Sequence, residues 1–393
     1  MPNKISAALL GMCLFTVTFA VNLQAPLYDA YAAQNDMGAA AVTIAFAAYV
    51  AGLMPTLLFL GGLSNRIGRK PPIALALALG ATATGILVIW PSWATLIIAR
   101  AILGVGTGLA TTAGTAYMTE ILGGNRTKSS ALAVTSVTSL GFGGGALATG
   151  ISLGIQGPTL FPASFALLLA VAPCLALAII LLPKTHRDTN APLLRMPLFP
   201  KGTGIFGISL ALAWSVTGMT IAVVPLQLAR NDLGSWSGLV IFLAIFTGFL
   251  CQPIAKRLKN NAALTVGLCL VPIGFVILLI GMRFDLLAAV LAGTCFTSAA
   301  SYGFTYLAAL AEISSRAPDD RARATAGLFI YAYAGFSVPV IVSGVLADIL
   351  GLLPAMMLFA ATMVAATLVV LTRLKRPALA RCANFDQDRQ MSR

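Results

Sequence analysis

The sequence predicts an all-α membrane protein whose twelve transmembrane helices form two pseudo-symmetric six-helix bundles, and three observations carry that prediction. Charged residues make up 9% of the chain and hydrophobic ones 59%, against roughly 25% and 45–50% in soluble globular proteins. The apolar residues gather into twelve runs of about the 20 residues that a helix needs to cross a hydrocarbon core about 30 Å thick. Landmarks of the first half then recur after about half of the 393 residues, which points to a duplicated six-helix unit.

The first run, near 5–28, follows a short polar start and resembles a signal segment in outline. Because similar runs continue to the end of the chain, it is read as a retained span. It ends in Asn22, Gln24, Tyr28 and Asp29. The second run, 39–62, leads into Gly61–Pro72, GGLSNRIGRKPP. There Gly61, Gly62 and Gly68 allow close approach or positive φ, Arg66, Arg69 and Lys70 hold the loop out of hydrocarbon, and Pro71 suits the first turn of the third run, 71–91. The fourth, 94–120, opens behind Trp93, a ring suited to the interface. The fifth, 128–152, is rich in small residues, and the sixth, 162–183, is almost wholly apolar.

The segment 184–203, KTHRDTNAPLLRMPLFPKGT, is the longest polar interruption. It reads as a cytoplasmic linker between an N-terminal bundle, 1–183, and a C-terminal bundle, 204–376. The seventh run, 204–228, carries Trp214 and Thr217, and the eighth, 236–255, ends on Gln252 before Lys256, Arg257 and Lys259. The ninth, 262–282, lies between that cluster and Arg283. The tenth, 286–311, holds Tyr302 and Tyr306 and closes at Glu312. The eleventh, 323–347, starts behind Arg321 and holds Tyr331 and Tyr333; the twelfth, 352–374, stops at Arg373 and Lys375. Residues 377–393 form a polar cytoplasmic tail.

Pairs supporting the duplication are Pro26-Leu27 with Pro225-Leu226, Asn35-Asp36-Met37-Gly38 with Asn231-Asp232-Leu233-Gly234, Glu120 with Glu312, Arg126 with Arg321, and Gly141-Phe142 with Gly335-Phe336. Of the 25 lysines and arginines, all except Arg100, Arg230 and Arg283 fall on one side of the predicted topology. The positive-inside rule makes that side, with both termini, cytoplasmic. The net charge of +13 therefore calls for no nucleic-acid partner. The six cysteines show no C-x-x-C spacing, which indicates neither a disulfide framework nor a metal site.

Three stretches resemble motifs of the major facilitator superfamily. Gly61, Leu63, Arg66, Gly68, Arg69 and Lys70 are similar to its loop motif G-x-L-a-D-r-x-G-r-k, with Asn65 in place of the aspartate. Arg100–Gly108, RAILGVGTG, matches every fixed position of the fourth-helix motif R-x-x-x-G-x-G. Gly141, Gly145, Ala146, Thr149 and Gly150 resemble the antiporter motif G-x-x-x-G-P-x-x-G-G, with Ala146 at the proline and Thr149 at a glycine. The resemblance, strongest to the drug:proton antiporter branch, implies a monomeric carrier in a bacterial-type inner membrane. It implies two bundles rocking around a central path, driven by a proton gradient without a bound cofactor. In that frame the basic loop is a gate, and Arg100 assists coupling.

Arg100 is the only Lys, Arg, Asp or Glu placed well inside a span, seven residues or about 10 Å beyond Trp93. A charge at that depth is costly and faces a cavity or a partner; the alternative is an arginine snorkelling outward or bonded to helix-end carbonyls. Asn22 and Gln24 reach a similar depth, and Asp29 stands nearer the surface as a candidate ionic partner, with a solvated loop-end aspartate as the commoner outcome. Glu120 and Glu312, at helix ends, are expected to pair with Arg126 and with the Arg321 cluster. No carboxylate is expected at mid-depth, which argues against a strongly cationic substrate. Trp214, Thr217, Gln252, Tyr302, Tyr306, Tyr331 and Tyr333 in the second half, with Asn22, Gln24 and Tyr117 in the first, offer stacking faces and hydrogen bonds to an amphipathic ligand. An ordinary packing or interfacial role is the alternative for each.

Enzyme chemistry finds no support. The single histidine, His186, lies in the linker, no H-E-x-x-H occurs, and no P-loop lysine is present. The glycines at 104–108 lack the strand and acidic residue of a dinucleotide fold. The expected function is proton-coupled efflux of a small neutral, anionic or zwitterionic amphipathic compound. Export or import of a specific metabolite (a sugar, an amino acid or a metal chelator) and a non-transporting receptor or scaffold stand as alternatives.

Overall fold

A computed structural model of the chain describes residues 2–123, 127–182, 192–194 and 196–391. Arg126, His186 and, within the linker 184–203, residues 184–191 and 195 lie outside the described residues. Twelve helices are long and apolar enough to cross a membrane: α1 (Lys4–Gln34), α2 (Ala39–Phe59), α3 (Lys70–Ile89), α4 (Trp93–Ile121), α5 (Ser129–Gln156), α6 (Ala163–Leu181), α7 (Gly204–Arg230), α8 (Gly234–Ala255), α9 (Asn260–Arg283), α10 (Leu287–Arg316), α11 (Arg321–Leu350) and α12 (Leu352–Leu374). Their order matches the twelve apolar runs. Helix continues past the end of α12 to Met391.

Large apolar side chains such as Leu177, Ile349 and Leu368 are exposed, as lipid-facing positions are in a protein without an aqueous surround. Polar side chains turn inward and bond to backbone carbonyls, as Thr56 does to Gly52 and Thr107 to Leu103. Small residues bring helices close within each half. A Cβ on Gly141 would stand 2.6 Å from the Phe15 carbonyl oxygen, so α5 lies directly on α1.

Three spans are irregular where the bundles meet. The helix opening α1 stops at Asn22, a 3₁₀ turn covers Ala25–Leu27, and helix resumes at Tyr28. Pro26 cannot donate to the ladder, so the break falls just before it. In α7 the helix ends at Ala222 and restarts at Val224, with Pro225 in the equivalent place. Thus the repeated Pro-Leu pair marks a repeated break. The third irregularity is a π-helical segment, Ala299–Thr305, within α10.

Across the halves, α5 packs on α8 and α2 on α11. On the face opposite the chain termini these pairs are tight. The Gly150 and Gly238 backbones approach so closely that a Cβ on Gly150 would meet the Gly238 Cα at 3.2 Å. Asp348 of α11 caps α2: Ala39 N donates to its Oδ1 at 2.6 Å and Ala40 N to its Oδ2 at 3.1 Å. Gly38, the residue before α2, has no side chain to do this, and a carboxylate on a helix N-terminus contributes about 1 kcal/mol. On the terminal face the linker lies between the halves. Gly62 N donates to Leu193 O at 3.1 Å, Leu198 N to Arg323 O at 3.0 Å, and Arg323 Nε to Met196 O at 3.0 Å.

Candidate functional site

The position of Arg100 follows from how α4 begins. Ser92 and Thr95 form a reciprocal capping box, and the Trp93 indole donates to Ala41 O at 2.9 Å. Those contacts fix the start of the helix, and two turns further on Arg100 is 1% exposed. Its guanidinium donates from Nη1 to Val21 O at 2.7 Å and from Nη2 to Phe46 O at 3.2 Å. Its Cζ lies 5.1 Å from the Phe46 ring centroid and 5.0 Å from that of Tyr49.

Asp29 is not its partner; it is exposed at the far end of α1. The physical reason is the break in that helix. The carbonyl of Val21 sits in the last turn before the break, where no intrahelical donor claims it, and it also accepts from Gln24 Nε2 at 3.0 Å. A guanidinium over two aromatic faces and two carbonyls is well held, yet its charge meets no carboxylate among the described residues. Its Nε has no hydrogen-bond partner.

The same break explains Thr149. Its hydroxyl donates to Leu23 O at 2.7 Å and lies 2.8 Å from Ser164 Oγ. Where the resembled motif has a glycine, this chain places a hydroxyl that satisfies a carbonyl freed by the break. Gly141 and Gly145 face α1, whereas Ala146 and Gly150 face Gly238 of α8. The motif therefore serves two close contacts, one within the first half and one between halves.

In the second half Trp214 of α7 is the centre of an aromatic cluster. Ring centroids of Tyr333, Tyr302, Phe336, Tyr306 and Phe329 lie 5.3, 5.4, 6.1, 6.2 and 6.3 Å from it. The π segment is pinned to the same helix by Ser301 Oγ, which donates to Ala213 O at 2.7 Å. Residues 302 and 306 then stand on one face of α10, toward Trp214. The indole Nε1 has no partner, although Trp214 is only 6% exposed.

Arg100 and Trp214 line one cavity of about 200 Å³ between the halves. Asn22, Thr135, Thr138 and Ser139 form its polar side, with Tyr49 beside Arg100, while Tyr302, Tyr306, Phe329, Tyr333 and Phe336 form its aromatic side. Gln252 closes it, its amide donating to Tyr302 O at 3.3 Å. Among the described residues no aspartate or glutamate lines it. Asn22 Nδ2 is spent on Phe142 O at 2.9 Å, which leaves its oxygen toward other donors.

Asn22, Arg100, Trp214, Gln252, Tyr302, Tyr306 and Tyr333 line this cavity, whereas Gln24, Tyr117 and Thr217 are buried away from it. Tyr331 also points elsewhere, packing edge-on against Phe199 at 5.7 Å. The sequence held the signal that separates it from Tyr333: residues two apart on a helix stand about 200° apart, so both could not face one cavity. The same spacing rule joins Phe329, Tyr333 and Phe336, which the sequence reading missed, as it did Tyr49 and the Thr135, Thr138 and Ser139 face.

The acidic residues at helix ends take other partners than expected. Glu120 Oε1 accepts from Arg69 Nε at 2.9 Å, and Arg69 Nη1 also donates to Asn65 Oδ1 at 2.5 Å and Ser64 Oγ at 2.8 Å. Among the described residues its pairing is with the basic loop, and Arg126, the expected partner, lies outside them. Glu312 pairs with Arg316 one turn away at 2.8 Å and accepts from Asn260 at 3.1 Å, in place of the Arg321 cluster. Lys70 donates to the carbonyls of Ile180 and Leu182 at the end of α6. The loop Gly61–Lys70 is therefore tied chiefly within its own half. Gly150–Gly154 also spells G-x-S-x-G, but Ser152 Oγ donates to Ala148 O within a regular helix, with no strand or turn to expose it as a nucleophile.

The multidrug resistance protein MdtL of Shewanella sp. (strain ANA-3) is 41% identical over 76 residues, a stretch spanning 19% of this chain and 19% of that relative. Among solved structures, a point mutant of the nucleoside transporter NupG superposes with a TM-score of 0.76 at 12% identity, covering 94% of this chain and 99% of its own. A bacterial homologue of the human lysosomal transporter Spinster, in an inward-facing and occupied conformation, gives 0.71 at 13% identity over 95% and 97%. The family model of the Major Facilitator Superfamily matches residues 10–337. With two six-helix bundles around a central cavity and that match over most of its length, the chain is a transporter, not an enzyme, and belongs to the major facilitator superfamily.

Proposed function

We propose that the protein exports a small neutral, anionic or zwitterionic amphipathic compound in exchange for protons. The observation that carries this reading is the cavity between the halves, polar and cationic on one side and aromatic on the other. The short stretch shared with a multidrug resistance protein supports the efflux direction. In this reading the terminal face is cytoplasmic, since it carries nearly all the lysines and arginines. A monomer suffices, because both walls of the cavity come from one chain.

In this reading the outer face is closed, where Asp348 holds α2 and Gly150 abuts Gly238. Toward the inner end of α4, Thr111, Thr112, Thr115 and Thr119 line a second hollow with Arg69 and Glu120, all within the first half. Substrate enters from the cytoplasm, the bundles rock about the α2–α11 and α5–α8 contacts, and the outer seal parts. Arg100 links α4 to the break in α1 and to α2, so a ligand that draws on its guanidinium alters the packing of three helices at once. Glu120 and Asp348 are the acids placed where such a movement changes their partners, which makes them the protonation sites of this scheme; Asp29 and Glu312 remain further candidates at helix ends.

The test is reconstitution into liposomes with an imposed pH gradient. A driven flux of amphipathic anions or neutral compounds is the expected result. A flux indifferent to the gradient would sink proton coupling.

A further inference from the structure

We infer that the cavity selects planar aromatic anions: one or two fused rings bearing a carboxylate or similar acid. The inference rests on the transport reading above and specifies the substrate class of that site. Size sets the first limit. A dry cavity of about 150 Å³ holds a benzene ring, so about 200 Å³ holds a small ring system with one polar substituent, not a long flexible drug.

The second limit is aromatic. Trp214 packs its indole within 5.3 to 6.3 Å of five other rings, and rings paired at such separations form one aromatic wall against which a flat π system packs better than a saturated body of equal volume.

An aromatic box alone would equally suit an organic cation. The charge in the opposite wall decides against it. Arg100 is buried, carries no carboxylate partner among the described residues, and spends its π contacts on Phe46 and Tyr49. Arg100 Nε and Trp214 Nε1, on residues that line the cavity, are buried without an acceptor, and buried donors are costly until a small shift brings an acceptor to them. No acid lines the cavity to balance a cationic ligand. At about 8 Å and an effective dielectric constant of about 20, one unit charge favours an anion or disfavours a cation by roughly thirtyfold before desolvation. A net preference of at least about tenfold for the anion is expected.

The experiment is calorimetric titration of the purified full-length protein with four matched probes: 2-naphthoate, 2-naphthamide, 2-naphthyltrimethylammonium and decalin-2-carboxylate. Tightest binding of 2-naphthoate, by at least about tenfold over the cation and several-fold over the saturated acid, is the expected order. Arg100→Gln should erase the preference for charge while leaving 2-naphthamide bound. Trp214→Leu should erase the preference for the flat ring. Cation binding equal to or tighter than 2-naphthoate, or decalin-2-carboxylate binding as well, overturns the inference from the wild-type protein alone. The same probes in liposomes separate the two readings. Selective 2-naphthoate binding without pH-driven flux removes the transport scheme and keeps the site. Driven flux of other compounds without 2-naphthoate binding does the reverse.

Discussion

The two walls of the central cavity come from duplicated halves and have diverged in chemistry. The first half contributes a buried guanidinium, an asparagine and hydroxyls; the second contributes an indole, three tyrosines and two phenylalanines. Both halves retain the break in their first helix, before Pro26 and at Pro225. Only in the first is the carbonyl next to the break occupied by an arginine from the fourth helix; in the second, Ser301 of the tenth helix donates to Ala213, well before the break. Duplication thus preserved the backbone device and left the side chains to specialise, one wall for charge and one for stacking.

That division is most directly broken at Arg100. Arg100→Ala removes two carbonyl bonds made by a charged group, each contributing about 1.5–3 kcal/mol, and flux should fall by about a hundredfold in counterflow assays. Arg100→Lys should recover little, because a single ammonium cannot bridge Val21 and Phe46 together. Retention of flux by Arg100→Ala would show that the charged wall is scaffold only. Next in size, Trp214→Ala should raise the KM about tenfold, with a smaller change in kcat, since it removes the ring that the other five surround. A larger loss in kcat than in affinity would move Trp214 from the binding wall to the rocking mechanism.

The outer seal holds the two walls in register, and Asp348→Ala tests it. Loss of a helix cap of about 1 kcal/mol should shift the balance toward outward opening about fivefold, read as faster labelling of a cysteine placed at position 43. Within the aromatic wall, Tyr333→Phe should change affinity about two- to threefold, the scale of one hydrogen bond, and Tyr331→Phe should change nothing. Equal effects would mean that α11 turns further during transport than this state shows. The smallest effect belongs to Asn65→Asp. An added charge beside Arg69, part-exposed as that residue is, contributes about 0.5 kcal/mol. The conformational balance, read by labelling on both faces, should move about twofold.

How much of this was legible beforehand differs by level. Hydropathy alone placed all twelve spans within a few residues, because a helix in hydrocarbon must satisfy its own backbone and show an unbroken apolar run. Arg100 stood out for the same reason, as a charge where charge is expensive. Its partner was legible only in kind: helix-end carbonyls stood as the alternative to Asp29, but the actual acceptor, Val21 O, is a backbone atom that no side-chain pattern singles out. Among the tyrosines, helical spacing could have divided Tyr331 from Tyr333 but could not say which of them faced inward. The tie between Asp348 and the start of α2 joins positions 309 residues apart and has no local signal at all.

The sequence by itself determined the number of spans, their pairing into two bundles and the one charge buried among the described residues, since each follows from the cost of placing one residue type in lipid or in a helix. Only the tertiary structure decided which faces of those helices meet. Azimuth is set by neighbouring helices through contacts such as Gly150 on Gly238, and that choice gathered a guanidinium, an indole and seven further rings around one cavity while turning every described carboxylate away from it.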